Sequence, residues 1–236
     1  MTKKPNKREK QKQETLADIL RVGEELFATQ GYENTSIAQI AEVCGMTKGA
    51  MYHHFDSKEA LMEKICQRHY DVLFAAARPL LARKDLHWFL RMGLVIDAVR
   101  KATEERMAVA GEYLLTRRAA GGQFAQKLSQ VDKEFYKAVF APVLQEAREL
   151  KEASFAGSAA MLAVFVYHVE KAMTDEIAQV LEEEKPKNFK KRATEIMQTF
   201  VHALSSLLGI EQKMILQLVN IPKTVGYMAK LLKNRS

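Results

Sequence analysis

The feature that most constrains the fold is a pair of helix-start signals with a glycine between them. Ser36 is followed three residues later by Gln39, which is a capping-box pattern. Gly45 comes nine residues after Ser36, so the helix that begins there must be short. Thr47 then offers a second N-cap. The sequence therefore predicts two short helices joined by a tight turn, the second running to about Phe55.

The remainder of the chain also has helical spacing. Apolar residues recur at Leu16, Ile19 and Phe27 on a first helix that ends at Gly31. A fourth helix is capped by Asp56 or Ser57. Only 11 Gly and 5 Pro occur, which disfavours turn-rich all-β folds. We therefore predict an all-α fold, with further helices near 86–103, 105–118, 125–151, 157–184 and 188–209.

Composition narrows the class of protein. The hydrophobic fraction of 47% is enough to bury a sizeable core. The two cysteines, Cys44 and Cys66, cannot form a disulfide framework, which suits a reducing compartment. The longest apolar run, roughly 156–169, is too short to cross a bilayer, and no apolar segment follows the N-terminal lysines. We expect a soluble cytoplasmic protein.

The charge is basic and unevenly distributed. The net charge is +7, and residues 185–236 hold 10 Lys and Arg against 2 Asp and Glu. Residues 1–12 carry six cations and one acid, and are predicted to form a flexible basic arm. A basic balance suggests a polyanionic partner but does not locate its binding site.

Two short helices joined by a glycine turn have the layout of a helix-turn-helix, in which the second helix enters the DNA major groove. Thr47, Lys48 and Gly49 would form the leading end of that helix, where side chains meet base edges. Lys48 can donate to guanine acceptors, and Gly49 lets the backbone approach closely. Tyr52 and His53, one turn further on, can reach phosphates or bases.

The segment 19–65 resembles the DNA-binding domain of the TetR family of bacterial transcriptional regulators. The resemblance implies an all-helical homodimer with a divergent C-terminal domain that binds an inducer or partner. The residues that carry it keep the family spacing throughout; they are Phe27, Gly31, Tyr32, Ser36, Ile40, Ala41, Gly45, Lys48, Gly49, Tyr52, His54, Phe55, Lys58 and Leu61.

By position, the resemblance implies that Thr35 and Ser36 contact phosphate at the start of the second helix, and that Lys58 does so from the fourth. It assigns the recognition surface to Thr47, Lys48, Gly49, Tyr52 and His53. Ala38 stands where some members have a base-reading arginine. Specificity would therefore depend more on Lys48 and Tyr52.

We expect four regions: the arm at 1–12, a helix-turn-helix DNA-binding domain at 13–57, a helical ligand-binding and dimerisation domain at 58–209, and a C-terminal extension at 210–236. The resemblance implies a homodimer through the helices near 157–184 and 188–209 that binds an inverted-repeat DNA operator. An unknown small apolar or amphipathic ligand would release it. The candidate ligand-binding residues are Met92, Tyr113, Phe135, Phe165 and His168, although such bulky residues also form packed cores.

Other classes of function have less support. The chain has no phosphate-binding glycine loop, nucleophile motif or cluster at metal-ligand spacing, so we predict no catalytic residues, no metal and no cofactor. The principal alternative is a nonspecific nucleic-acid-binding or membrane-surface protein that depends on the arm and the tail. A helical enzyme that binds a small molecule is the other.

Overall fold

The computed structural model describes residues 6–183, 186–219, 221–222 and 224–226. Within these ranges the chain forms helices and no strand, so the all-α prediction is confirmed. The helices are α1 (Lys7–Gln30), α2 (Ile37–Val43), α3 (Lys48–Tyr52), α4 (Lys58–Leu81), α5 (Trp88–Glu105), α6 (Met107–Ala119), α7 (Gly122–Glu149), α8 (Ala159–Glu183), α9 (Pro186–Leu208) and α10 (Gln212–Leu218).

Contacts divide the chain into two compact units. The first contains Met1–His69 and Ala108–Leu128, and the second contains Tyr70–Met107 and Ser129–Ser236. The boundaries of these units differ from the domain boundary that was expected after residue 57. The segment 108–128 joins the helix-turn-helix because contacts between residues far apart in sequence hold it there, and sequence spacing does not show such contacts.

The expected flexible arm is wrong for residues 7–12, which are the first turns of α1. Asn6 precedes the helix, and its backbone amide donates to the Glu9 carboxylate at 3.1 Å. An acidic residue in the first turn also interacts favourably with the helix dipole. The sequence predicts a flexible arm because residues 1–12 are rich in charge. Residues 1–5 of the predicted arm lie outside the described residues.

The core of the first unit lies between α1 and α4. Gly23 of α1 faces this contact, and a Cβ atom there would lie 3.1 Å from the Ile65 side chain. The helices can therefore approach closely only because residue 23 has no side chain. Gly31 ends α1 with φ at 87°. The largest buried apolar side chains of this core are Ile19, Phe27, Ile40, Met51, Leu61, Met62 and Ile65.

The second unit has a larger core. One buried cluster joins Leu73 and Ala77 of α4, Val95 of α5, and Phe135 and Val139 of α7. Helix α8 packs along α9, and α10, in the predicted C-terminal extension, packs on α9 and α5. Among the described residues, no helix is both long and apolar enough to cross a membrane.

Candidate nucleic-acid interface

Side-chain caps hold α2 and α3 in place. The Ser36 hydroxyl accepts a hydrogen bond from the Gln39 amide at 3.2 Å, and the Gln39 side chain accepts one from the Ser36 amide at 2.7 Å. Gly45 has φ at 66°, in the left-handed region, and turns the chain. The Thr47 hydroxyl then accepts from the Ala50 amide at 3.1 Å. The predicted caps and turn are all present, because each depends on residues close in sequence.

Helix α3 presents most of its residues to solvent. Met51 is its one buried residue, whereas Lys48, Gly49 and Tyr52 are exposed. The Lys48 ammonium lies 5.9 Å from the centre of the Tyr52 ring. A Cβ atom at Gly49 would meet nothing within 4 Å, so the backbone there is open to a partner. The helix therefore offers a cation, an aromatic ring and bare backbone on one short surface.

The helix is shorter than predicted and ends before residue 55. The His54 amide donates to the Met51 carbonyl at 2.9 Å, which tightens the chain into a turn. His53 is exposed beside Tyr52, and His54 is half-buried. Adjacent helical positions point in different directions, so only His53 is available with the α3 surface.

Residues predicted for phosphate binding and for recognition line one cleft. Ser36, Tyr52 and Lys58 border a cavity of about 430 Å³. Glu33 and Asp56 border the same cleft, and their negative charges oppose an anion. Lys58 is the basic side chain of this lining, so an anion bound in the cleft depends on it.

Lys58 is held at the cleft by Tyr32. Its ammonium donates to the Tyr32 carbonyl at 2.9 Å and lies 4.2 Å from the centre of the Tyr32 ring. Burial, followed by the charges of Glu59 and Glu33, raises the pKa of the Tyr32 phenol, so the ring stays neutral. A neutral aromatic face attracts the cation. Tyr32 therefore determines where the Lys58 charge is located.

Thr35 does not present its side chain as expected. It is only 2% exposed, and its hydroxyl donates to the Gly31 carbonyl at 2.8 Å. The hydroxyl therefore closes the turn between α1 and α2. Thr35 and Ser36 both border the cleft, and of the two Ser36 is the exposed one, so a phosphate contact from Thr35 stays a prediction.

The five candidate ligand residues are divided between the two units. Tyr113 belongs to the first unit and the other four to the second. Met92 and Phe135 are buried in the core, whereas Phe165 and His168 lie exposed on α8. Partial desolvation, with the charges of Lys133 and Lys171, lowers the pKa of His168. Bulk and polarity in the sequence do not distinguish core, surface and pocket, so a ligand-binding role for these residues stays a prediction.

Two residues of the site had no assigned role in the sequence. Glu112 of α6 is 4% exposed, and its carboxylate accepts a hydrogen bond from the Tyr32 amide at 2.5 Å. In the sequence, Tyr32 is only one of the positions that match the family pattern. Eighty residues separate the partners, so no local spacing could indicate the contact.

Comparison with known proteins agrees with this geometry. Residues 19–65 match the model of the bacterial regulatory proteins of the tetR family. The chain is 37% identical over 65 residues to the transcriptional repressor KstR2 of Rhodococcus jostii, a match that covers 28% of this chain and 32% of KstR2. It is 42% identical over 53 residues to the regulator TtgR of Pseudomonas putida, covering 22% of this chain and 25% of TtgR. The matches thus span about a third or less of these relatives.

Solved structures resemble the chain over a longer range. A TetR-family regulator from Syntrophomonas wolfei has a TM-score of 0.59 at 16% identity, covering 80% of this chain and 96% of its own. FadR from Bacillus subtilis, in complex with stearoyl-CoA, has a TM-score of 0.58 at 14% identity, covering 78% and 96%. At such identity the likeness establishes the fold alone. The family match is confined to residues 19–65, so it identifies this segment as a DNA-binding domain of the kind found in the tetR family of bacterial regulatory proteins.

Proposed function

We propose that this protein is a sequence-specific transcriptional repressor that binds an inverted-repeat DNA operator as a homodimer and is released by a small ligand. The observation that carries the proposal is the exposed, capped α3 with Lys48 at its first position. An α-helix fits the major groove of B-DNA, and residues at its N-terminal end meet the base edges.

The contacts divide into two kinds. Lys48, Gly49 and Tyr52 are exposed and would contact base edges, with Thr47 and His53 beside them on the exposed surface. Ser36 and Lys58 border the adjacent cleft, where a phosphate oxygen can accept their hydrogen bonds. Base contacts determine which sequence is bound, and phosphate contacts determine register and salt dependence.

The exposed N-terminal part of α1 adds a basic surface. Asp18 and Arg21 act on the pKa of Cys44, so this region of α1 lies near the turn before α3. Residues 7–12 extend about 9 to 17 Å beyond Asp18 at 1.5 Å per residue. Arg8 and Lys12 continue the stripe of α1 that carries Ile19. We infer that these two cations contact the DNA backbone beside the operator half-site.

The homodimer is proposed to form through α8 and α9. Met161 and Phe165 of α8 are each 49% exposed, one turn apart on one stripe. Ile196, Phe200 and Leu207 form a half-exposed apolar stripe on α9, which packs along α8. Two copies would bury these stripes in a four-helix interface. Two α3 helices about 34–36 Å apart would then match half-sites one helical turn apart.

The ligand is proposed to be small and apolar or amphipathic, bound between helices of the second unit. FadR shares the fold and is described in complex with stearoyl-CoA, an amphipathic molecule. A ligand releases DNA only if it binds the released conformation more tightly, by about 5 kcal/mol for near-complete release. Titrating the operator complex with long-chain acyl-CoA, and with the free acid as comparison, tests this class of ligand.

Selection of bound genomic fragments by the full chain, followed by Lys48→Ala, tests DNA binding. Lys48→Ala should weaken operator binding by about 1–3 kcal/mol and relax the preference at one base pair, as loss of a base contact does. Lys101→Ala is the control, because Lys101 pairs with Asp97 on α5. Selection of no common sequence would contradict the proposal and support nonspecific binding.

A further inference from the structure

The backbone amide and carbonyl of Tyr32 are both held by side chains. Its amide donates to the Glu112 carboxylate at 2.5 Å, and its carbonyl accepts from the Lys58 ammonium at 2.9 Å. Both partners are far from residue 32 in sequence. The hydrogen bond from the Lys58 ammonium is stronger than a neutral one, and the low dielectric around buried Glu112 strengthens the bond that it accepts from the Tyr32 amide.

The aromatic ring of Tyr32 is also enclosed. It stacks on Phe124 with ring centres 5.9 Å apart and an interplanar angle of 21°. On α1, Phe27 lies 5.3 Å from it. Glu112 and Phe124 both belong to the segment 108–128, so that one segment holds the backbone and the ring of Tyr32.

The position of Tyr32 controls two groups of the proposed phosphate cleft. Its carbonyl accepts from Lys58 and also from the Thr35 amide at 3.3 Å, immediately before Ser36 begins α2. Lys58 and Ser36 both border the cleft. A displacement of Tyr32 would therefore move the acceptor of the Lys58 ammonium and the start of α2 together.

We propose that Glu112 is a positioning residue for DNA binding, which holds Tyr32 and through it places Lys58 and the start of α2 for the DNA backbone. The inference rests on the proposed function. Glu112 itself is buried and does not touch DNA. In sequence, the segment 108–128 lies between two segments of the second unit, so the chain enters and leaves it from the region proposed to bind the ligand.

The test compares Glu112→Ala, Glu112→Gln, Lys58→Ala and the double variant E112A/K58A on the selected operator over a range of salt concentrations. Glu112→Ala should weaken binding about tenfold, which corresponds to 1.4 kcal/mol, and flatten the salt slope by up to about 0.9, as loss of one phosphate contact does. Lys58→Ala should do the same. The double variant should bind the operator no more weakly than Lys58→Ala, since both changes remove the same phosphate contact.

Glu112→Gln separates position from charge. Its amide oxygen still accepts from the Tyr32 amide, so binding should stay within about twofold of the unmodified protein. Hydrogen exchange gives a second measurement. The exchange rate of the Tyr32 amide should rise in Glu112→Ala and stay unchanged in Lys58→Ala. Thr116→Ala is the matched control, because Thr116 lies one turn further along α6 and is 5% exposed.

Several outcomes would overturn the inference. If Glu112→Ala behaves like Thr116→Ala, the residue only stabilises the fold. If the effects of Glu112→Ala and Lys58→Ala multiply in the double variant, Glu112 does not act through Lys58. Both results require an unmodified protein that binds its operator; if that protein binds no fragment, the proposed function is wrong as well.

Discussion

The α2–α3 pair and the α8–α9 pair expose different kinds of surface. The two short helices expose Lys48 and other polar side chains together with Val43 and Tyr52, and are held by caps from Ser36 and Thr47. The two long helices pack against each other and still leave Met161 and Phe165 half exposed. A polar surface is stable in water, whereas neighbouring exposed apolar side chains are typical of protein–protein interfaces. The two helix pairs are therefore suited to different partners.

The largest expected effect comes from charging the α8–α9 surface. Phe165→Glu would bury an unpaired carboxylate in the proposed dimer interface, which is strongly unfavourable. We expect a monomer in sedimentation velocity and about 100-fold or more weaker operator binding, because two linked half-site contacts become one.

Leu90→Glu is the control for that change. Leu90 is 53% exposed on α5, so it offers the same substitution on a half-exposed apolar residue outside α8 and α9. It should leave the dimer intact. If the dimer persists in Phe165→Glu, the dimer interface lies elsewhere. The α8–α9 pair would then not differ from the α2–α3 pair as a protein-binding surface.

A smaller effect is expected from the basic start of α1. Arg8→Gln with Lys12→Gln should flatten the salt dependence of operator binding by up to about 1.8, at about 0.9 for each lost phosphate contact. Fluorescence anisotropy over a series of salt concentrations measures this slope.

Lys7→Gln with Lys10→Gln removes the same charge from other faces of the helix, where Lys10 pairs with Glu14. Its slope should change less. Equal slopes for both double variants would show that α1 attracts DNA only through net charge, without a defined contact.

The smallest effect tests local capping of α3. Thr47→Ala removes the acceptor for the Ala50 amide and should lower the free energy of unfolding by about 1 kcal/mol, measured in urea. Thr47→Ser keeps the hydroxyl and should preserve most of that stability. If both variants were as stable as the unmodified protein, tertiary packing of Met51 rather than the cap would hold α3.

The helix-turn-helix was predictable because its determinants are local. A cap bonds an amide three residues away, and a glycine turn depends on one backbone angle, so spacing alone indicates both. The same reasoning located most helix ends to within a few residues. It was wrong for residues 7–12, where Asn6 and Glu9 begin a helix in a run interpreted as an unstructured tail.

The surroundings of the candidate ligand residues were not predictable, because they depend on contacts that are not local. Phe135 and Phe165 have the same side chain, yet one is in the core and the other is exposed. Which of them is buried depends on how whole helices pack, and the hydrophobicity of a residue does not indicate this packing. Thr35 shows the same limit. Its hydroxyl donates to the Gly31 carbonyl within the turn, and the spacing of residues did not indicate this contact.

The order of residues along the chain was enough to place Lys48 at the leading end of a short helix, since caps and turns act over three or four positions. The position of Lys58 beside the start of α2 was decided by the folded chain, where the Tyr32 amide donates to Glu112 and the Tyr32 carbonyl accepts from Lys58. Those contacts join residues 80 and 26 positions apart. Only packing brings such groups within hydrogen-bonding distance, and burial then makes the bonds strong.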